Sequence, residues 1–134
     1  MGIRLLVVDD HEVVRSGLRS LFAKTDIEVV GEAADGNEAV KKTAEVQPDA
    51  VLLDIRMPHM DGLAALDQIH KESPQLPIVV LSTYENPTYI ARALTLGATD
   101  YILKGSDSKE LVSAIRNAHR GDDSARSNEF QKVS

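Results

Sequence analysis

Short apolar runs alternate with amphipathic stretches along this chain, and the alternation recurs five times. The runs Ile3–Val8, Ile27–Ala34, Ala50–Leu53, Ile78–Leu81 and Tyr101–Leu103 are rich in Val, Ile and Leu, with little polar alternation. Strands covered on both faces read this way. Helical spacing fills the gaps. Val14, Leu18, Leu21 and Phe22 recur at i, i+4, i+7 and i+8, one face of a first helix. Asp35 can cap a second helix, with Ala39, Val40, Thr43 and Ala44 on its inner face. A third begins near Asp61-Gly62, turns Leu63, Leu66 and Ile69 inward, and ends before Pro74. The fourth runs from Pro87 to Leu96 and stops at Gly97. The fifth, Ser108 to His119, presents Leu111, Val112, Ile115 and Ala118 and stops at Gly121.

Five β–α units in succession predict an α/β fold: a doubly wound parallel sheet with helices on both faces. Ligands of such sheets bind outside the carboxyl ends of the strands, near the point where strand order reverses. The stretch from Gly121 onward, GDDSARSNEFQKVS, is polar and aperiodic. It reads as a linker or tail, which divides the chain into a domain over 1–121 and a tail over 122–134.

Composition narrows the chemistry. The chain has 134 residues and no Cys, which excludes disulfide scaffolds, zinc fingers and thiol nucleophiles, and fits a reducing cytoplasm. No apolar run approaches membrane-spanning length, and MGIRLLVVDD turns acidic too early for a signal peptide. With a net charge of −6 these residues should be repelled by nucleic acid. Any contact with DNA needs another segment.

The polar residues at the predicted strand ends form one set. The first strand ends in Asp9-Asp10, the third in Asp54, the fourth in Ser82-Thr83 and the fifth in Lys104. Taken singly, each reads as a helix cap, a turn residue or a solvated lysine. Together they place carboxylates, a hydroxyl and an amine around one shallow pocket. Two carboxylates ~4 Å apart at an effective dielectric of ~20 repel by roughly 4 kcal/mol. They either take up protons or recruit a hard cation, and Mg²⁺ suits carboxylates that share it with a phosphate. A carboxylate can also attack phosphorus directly, giving an aspartyl phosphate.

The segments VVDDHEVVRSGL, VLLDIRMPHMDGL, VVLSTYE and GATDYILKG, with their spacing, resemble the receiver domain of bacterial two-component response regulators over residues 3 to 120. DDH…R.GL with GATDYILKG is most similar to the branch carrying a C-terminal LuxR-type helix-turn-helix, the NarL/FixJ type. The resemblance implies a flavodoxin-like (βα)5 three-layer sandwich with strand order 2-1-3-4-5. It implies that Asp54 accepts phosphate from a sensor histidine kinase. Asp10 and Asp54 would bind Mg²⁺ directly, with the backbone carbonyl of Arg56 as a third ligand and Asp9 acting through water. Lys104 would pair with the phosphoryl group, Ser82 would move to meet it, and Tyr101 would follow as the aromatic switch. Arg56, Thr83 and Tyr84 flank the pocket as tuning positions. A phosphorylation-linked homodimer, a cytoplasmic location without membrane contact, and DNA binding through a further C-terminal domain belong to the same set of expectations. One position departs from the family: Gly105 follows Lys104 where a Pro, often with a cis bond, is usual.

Other readings fit less well. Haloacid-dehalogenase phosphohydrolases place a second Asp two residues after the nucleophile, and Asp54-Ile55-Arg56 lacks it. A nucleotide binder of flavodoxin type would need a Gly- or Ser/Thr-rich loop where Asp9-Asp10-His11 stands. A receiver fold serving only as an interaction module usually loses an acid or the Lys, whereas this chain keeps both. The four His residues show no metal-ligand spacing. His11 and His59 near the pocket mouth read mainly as exposed loop or helix-start residues. Met57 and Met60 read as loop packing, and Arg15 and Arg19, one helical turn apart, as a solvated face.

Overall fold

The computed structural model describes residues 2–55, 62–83 and 85–121. The predictions for Arg56, Met57, His59, Met60, Asp61, Tyr84 and the tail 122–134 fall outside the described residues. The five β–α units appear in order: β1 (Ile3–Val8), α1 (Glu12–Phe22), β2 (Ile27–Ala33), α2 (Gly36–Val46), β3 (Ala50–Leu53), α3 (Gly62–Glu72), β4 (Ile78–Ser82), α4 (Pro87–Thr95), β5 (Asp100–Leu103) and α5 (Ser108–Arg120). The sheet is parallel throughout, with order β2-β1-β3-β4-β5. This is the flavodoxin-like arrangement expected from the sequence.

Alternation within each strand builds two cores. Leu6 and Val8 of β1, Val51 and Leu53 of β3, Ile78 and Val80 of β4 and Tyr101 of β5 face one side, against α2, α3 and α4. Leu5, Val7, Ala50, Leu52, Val79, Leu81 and Ile102 face the other, against Leu18 and Phe22 of α1 and Leu111, Val112 and Ile115 of α5. Because the side-chain period is two, a register slip of one residue would exchange these cores, so the register is firmly specified.

Local chemistry sets the element ends. The Asp35 carboxylate accepts from the Glu38 amide at 2.8 Å, as its predicted capping role requires. At the other end of α2, Arg4 donates to the carbonyls of Val46 (2.9 Å) and Gln47 (2.7 Å), satisfying groups that the helix leaves unpaired. Ala44 corrects the expected inner face of α2: it is exposed, while Gly36, Ala39 and Thr43 are buried. The burial stripe is narrow, and Ala44 lies one residue, about 100° of rotation, beyond Thr43.

The register also delivers the pocket. β1 pairs with β3 from Leu5↔Ala50 to Val8↔Leu53, so Asp9 and Asp54 follow the last paired residues side by side. Strand order reverses between these two strands, where α/β sheets open a crevice.

Candidate functional site

Asp9, Asp54 and Ser82 are all almost fully buried at the carboxyl edge of the sheet. Two backbone bonds continue the sheet pattern past the strand ends: Asp54 N–H to Val8 O (2.9 Å) and Lys104 N–H to Ser82 O (2.7 Å). Strand-end residues far apart in sequence are thereby held to one level. α3 closes the site from behind, with Gly62 N–H donating to Ile55 O at 3.1 Å. A Cβ at Gly62 would sit 2.1 Å from Ile55 Cα, so the chain after Asp54 can approach α3 this closely only at glycine.

Lys104 reaches in from β5. Its ammonium lies 3.0 Å from Asp9 Oδ2 and 3.3 Å from Asp54 Oδ2, bridging the two buried carboxylates. Partial burial alone would lower the Lys104 pKa. The hydrogen bonds and charges of Asp9 and Asp54 together outweigh it and raise the ammonium above its ordinary value. Lys104 is therefore a fixed positive charge. The following turn is formed by Gly105 at φ +96° over a trans peptide, with open space where a side chain would stand. Glycine is needed there for backbone conformation rather than for room.

Asp10 is partly exposed, but its Oδ1 is buried and makes no hydrogen bond. His11 Nδ1 lies 2.9 Å from that oxygen and 3.3 Å from Asp9 Oδ1. A buried, unsatisfied carboxylate oxygen among three acids and one lysine is the kind of atom that a hard divalent cation stabilises. The carboxylates at this edge supply the oxygen chemistry that Mg²⁺ prefers. Thr83 is exposed at the rim. Tyr101 is fully buried in the same apolar cluster as Ile90 and Ala93 of α4.

The structure thus brings Asp9, Asp10, Asp54, Ser82 and Lys104 to the same edge of the sheet, as the sequence predicts. One residue behaves differently from expectation. Arg15 is not part of a solvated face: its side chain is only 14% exposed. Its guanidinium donates to the backbone carbonyl of Asp9 at 2.7 Å and to Glu32 at 3.0 Å, and pairs with Glu12. Arg19 completes the network, with both Glu32 oxygens 2.6 Å from its Nη1. Glu32 on β2 thus pairs with both arginines. His11 is 67% exposed, as expected of a helix-start residue, yet its ring turns toward both acids.

Comparison with known proteins follows the geometry. A family model described as the response regulator receiver domain matches residues 5–116. The response regulator protein VraR of Staphylococcus aureus is 44% identical over 123 residues, covering 91% of this chain and 59% of VraR. The chain therefore spans about three-fifths of the length of the curated relatives it matches. A LuxR-family two-component response regulator from Aurantimonas sp. SI85-9A1 superposes with a TM-score of 0.89 at 31% identity, covering 99% of this chain and 95% of that one. The receiver domain of a NarL response regulator from Mycobacterium tuberculosis superposes with a TM-score of 0.85 at 32% identity, covering 90% and 98%. Among the described residues, no helix is long and apolar enough to cross a membrane.

Proposed function

Because the chain belongs to the response regulator receiver domain family, on its NarL/LuxR branch, we propose that Asp54 is the phosphoacceptor of a Mg²⁺-dependent switch. The observation that carries this is the Lys104 ammonium held between Asp9 and Asp54. It sets a permanent positive charge beside the oxygen that would attack phosphorus.

In the proposed step an Asp54 carboxylate oxygen forms a bond to phosphorus, and the bond from phosphorus to the donor's imidazole nitrogen breaks. The donor is a sensor histidine kinase. Lys104 neutralises charge on the transferred group, releasing Asp9 from part of its pairing. Asp10 and Asp54 would hold Mg²⁺, joined by the Arg56 carbonyl and, through water, by Asp9. The ion, once bound, would offset charge on the phosphoryl oxygens. Thr83, Arg56 and Tyr84 would govern water access and thus phosphate lifetime.

A hydrogen bond from the Ser82 hydroxyl to the phosphoryl group contributes about 1.5–3 kcal/mol. Moving a two-state equilibrium from 1:99 to 99:1 takes ~5.5 kcal/mol, so Ser82 alone does not throw the switch. Lys104, the ion and a partner surface share the remainder, with Tyr101 changing its packing against α4. The output we propose is homodimerisation and control of transcription in the cytoplasm. DNA would be contacted by a further domain of the kind that the LuxR-family relatives' name implies.

Incubation with Mg²⁺ and acetyl phosphate, followed by intact mass measurement, tests the reading. The wild type should gain one phosphoryl group and Asp54→Asn none. No gain in the wild type would favour a receiver fold that works only as an interaction module.

A further inference from the structure

We propose that Gly97, resting on the His70 ring, is the pivot of α4, so that phosphorylation tilts this helix about its C-terminal end instead of sliding it bodily. This rests on the Asp54 switch proposed above and adds the constraint on its motion.

The two ends of α4 are held differently. Glu85, Asn86, Pro87, Thr88 and Tyr89 are all exposed, and the first buried residue is Ile90. That end hangs from the connection that begins at Ser82 and Thr83, where the phosphoryl group would pull. The other end is tied twice. Thr99 N–H donates to Ile78 O at 2.7 Å, and Ile78 N–H donates to Thr99 Oγ1 at 3.0 Å, fixing the chain after α4 to the start of β4. Gly97 is pressed against α3. A Cβ on it would stand 2.4 Å from His70 Cγ, 2.5 Å from Cδ2 and 2.7 Å from Nδ1. Three ring atoms at nearly equal distance put the Gly97 backbone over the face of the imidazole. Glycine is required there twice over, for this approach and for a φ of +111°.

The contact works as a bearing. His70 Nδ1 is buried and makes no hydrogen bond, so a tilt of α4 over the flat ring breaks none at that atom. At a rise of ~1.5 Å per residue, Thr88 lies about 13.5 Å from Gly97 along the helix and Thr95 about 3 Å. Rotation about Gly97 therefore carries Thr88 roughly four times as far as Thr95 at any angle. Sliding would carry both equally.

The chain has no Cys, so pairs of spin labels can be placed without background. Thr88→Cys and Thr95→Cys, both exposed, are each paired with Lys41→Cys on the exposed side of α2. Pulsed electron resonance measures both distances before and after acetyl phosphate and Mg²⁺, with labelled chain diluted in unlabelled. We expect the distance to position 88 to shift more than that to position 95, by about twofold or more, with His70 in place and in His70→Phe, which keeps the flat ring. In His70→Ala the two shifts should become similar. Similar shifts with His70 in place, or an unchanged ratio in His70→Ala, overturn the pivot. Intact mass of the same samples separates the failures. A chain that gains no phosphoryl group overturns the switch and the pivot with it, whereas full phosphorylation with no shift at either position overturns the pivot alone.

Discussion

Lys104 and Asp9 are 95 residues apart in sequence and on strands separated by two others, yet the ammonium lies 3.0 Å from the carboxylate. The same nitrogen meets Asp54 at 3.3 Å. One cation therefore ties together the ends of three strands. Removing it leaves two buried carboxylates facing each other, which water cannot fully stabilise.

Lys104→Met should accordingly lower unfolding free energy by about 2 kcal/mol at neutral pH without divalent cations. Urea denaturation measures this. The raised Lys104 pKa fixes the pH dependence. Its contribution is complete below the unfolded value of about 10.4 and is lost as pH climbs through the higher folded value. The gap between wild type and variant should therefore close only in the alkaline range above pH ~10.4. A gap unchanged there would mean that charge pairing is not the cause.

Arg15 should matter to the metal without touching it. It holds the Asp9 carbonyl at 2.7 Å, one peptide from Asp10. Arg15→Met should cost about 1–3 kcal/mol in stability. It should also weaken Mg²⁺ binding about tenfold, the usual scale for partners that orient ligands. Glu32→Gln should reproduce part of both effects, because Glu32 holds Arg15 through its Nε at 3.0 Å. Calorimetric Mg²⁺ titration beside thermal melts would check the two readouts together.

Three glycines should respond in opposite directions to alanine. Gly62→Ala places a carbon 2.1 Å from Ile55 Cα and should destabilise by about 3 kcal/mol. Gly105→Ala meets no atom but keeps φ at +96°, and should cost about 1–2 kcal/mol. Gly17→Ala, in α1 with nothing within 4 Å, should stabilise by about 0.5–1 kcal/mol. Denaturant midpoints for the three variants would verify the order.

How much of this was legible beforehand depended on the range of the interactions. Fully covered strands need apolar residues on both faces, so Ala50–Leu53 and Ile78–Ser82 announce themselves as runs. Strand-end polar residues are equally visible, because the topology rule says where they must meet. Arg15 and Arg19 were not legible as partners of Glu32. Their spacing is that of any solvated helix face, and their partner Glu32 lies on a strand that only the fold brings near. Ala44 failed for a related reason. An alanine carries too little apolar surface to show on which side of a narrow stripe it falls. His11 read as an exposed helix start, and it is one; what the sequence could not show was the direction of its ring.

The account stands on covalent phosphorylation at one residue. Phosphorylating the chain with acetyl phosphate and Mg²⁺, reducing with borohydride and mapping the peptides locates the acyl phosphate, since reduction converts a phosphorylated Asp to homoserine. The account predicts homoserine at position 54 and intact Asp9 and Asp10. An unmodified Asp54, or homoserine at either of the other two acids, would contradict it.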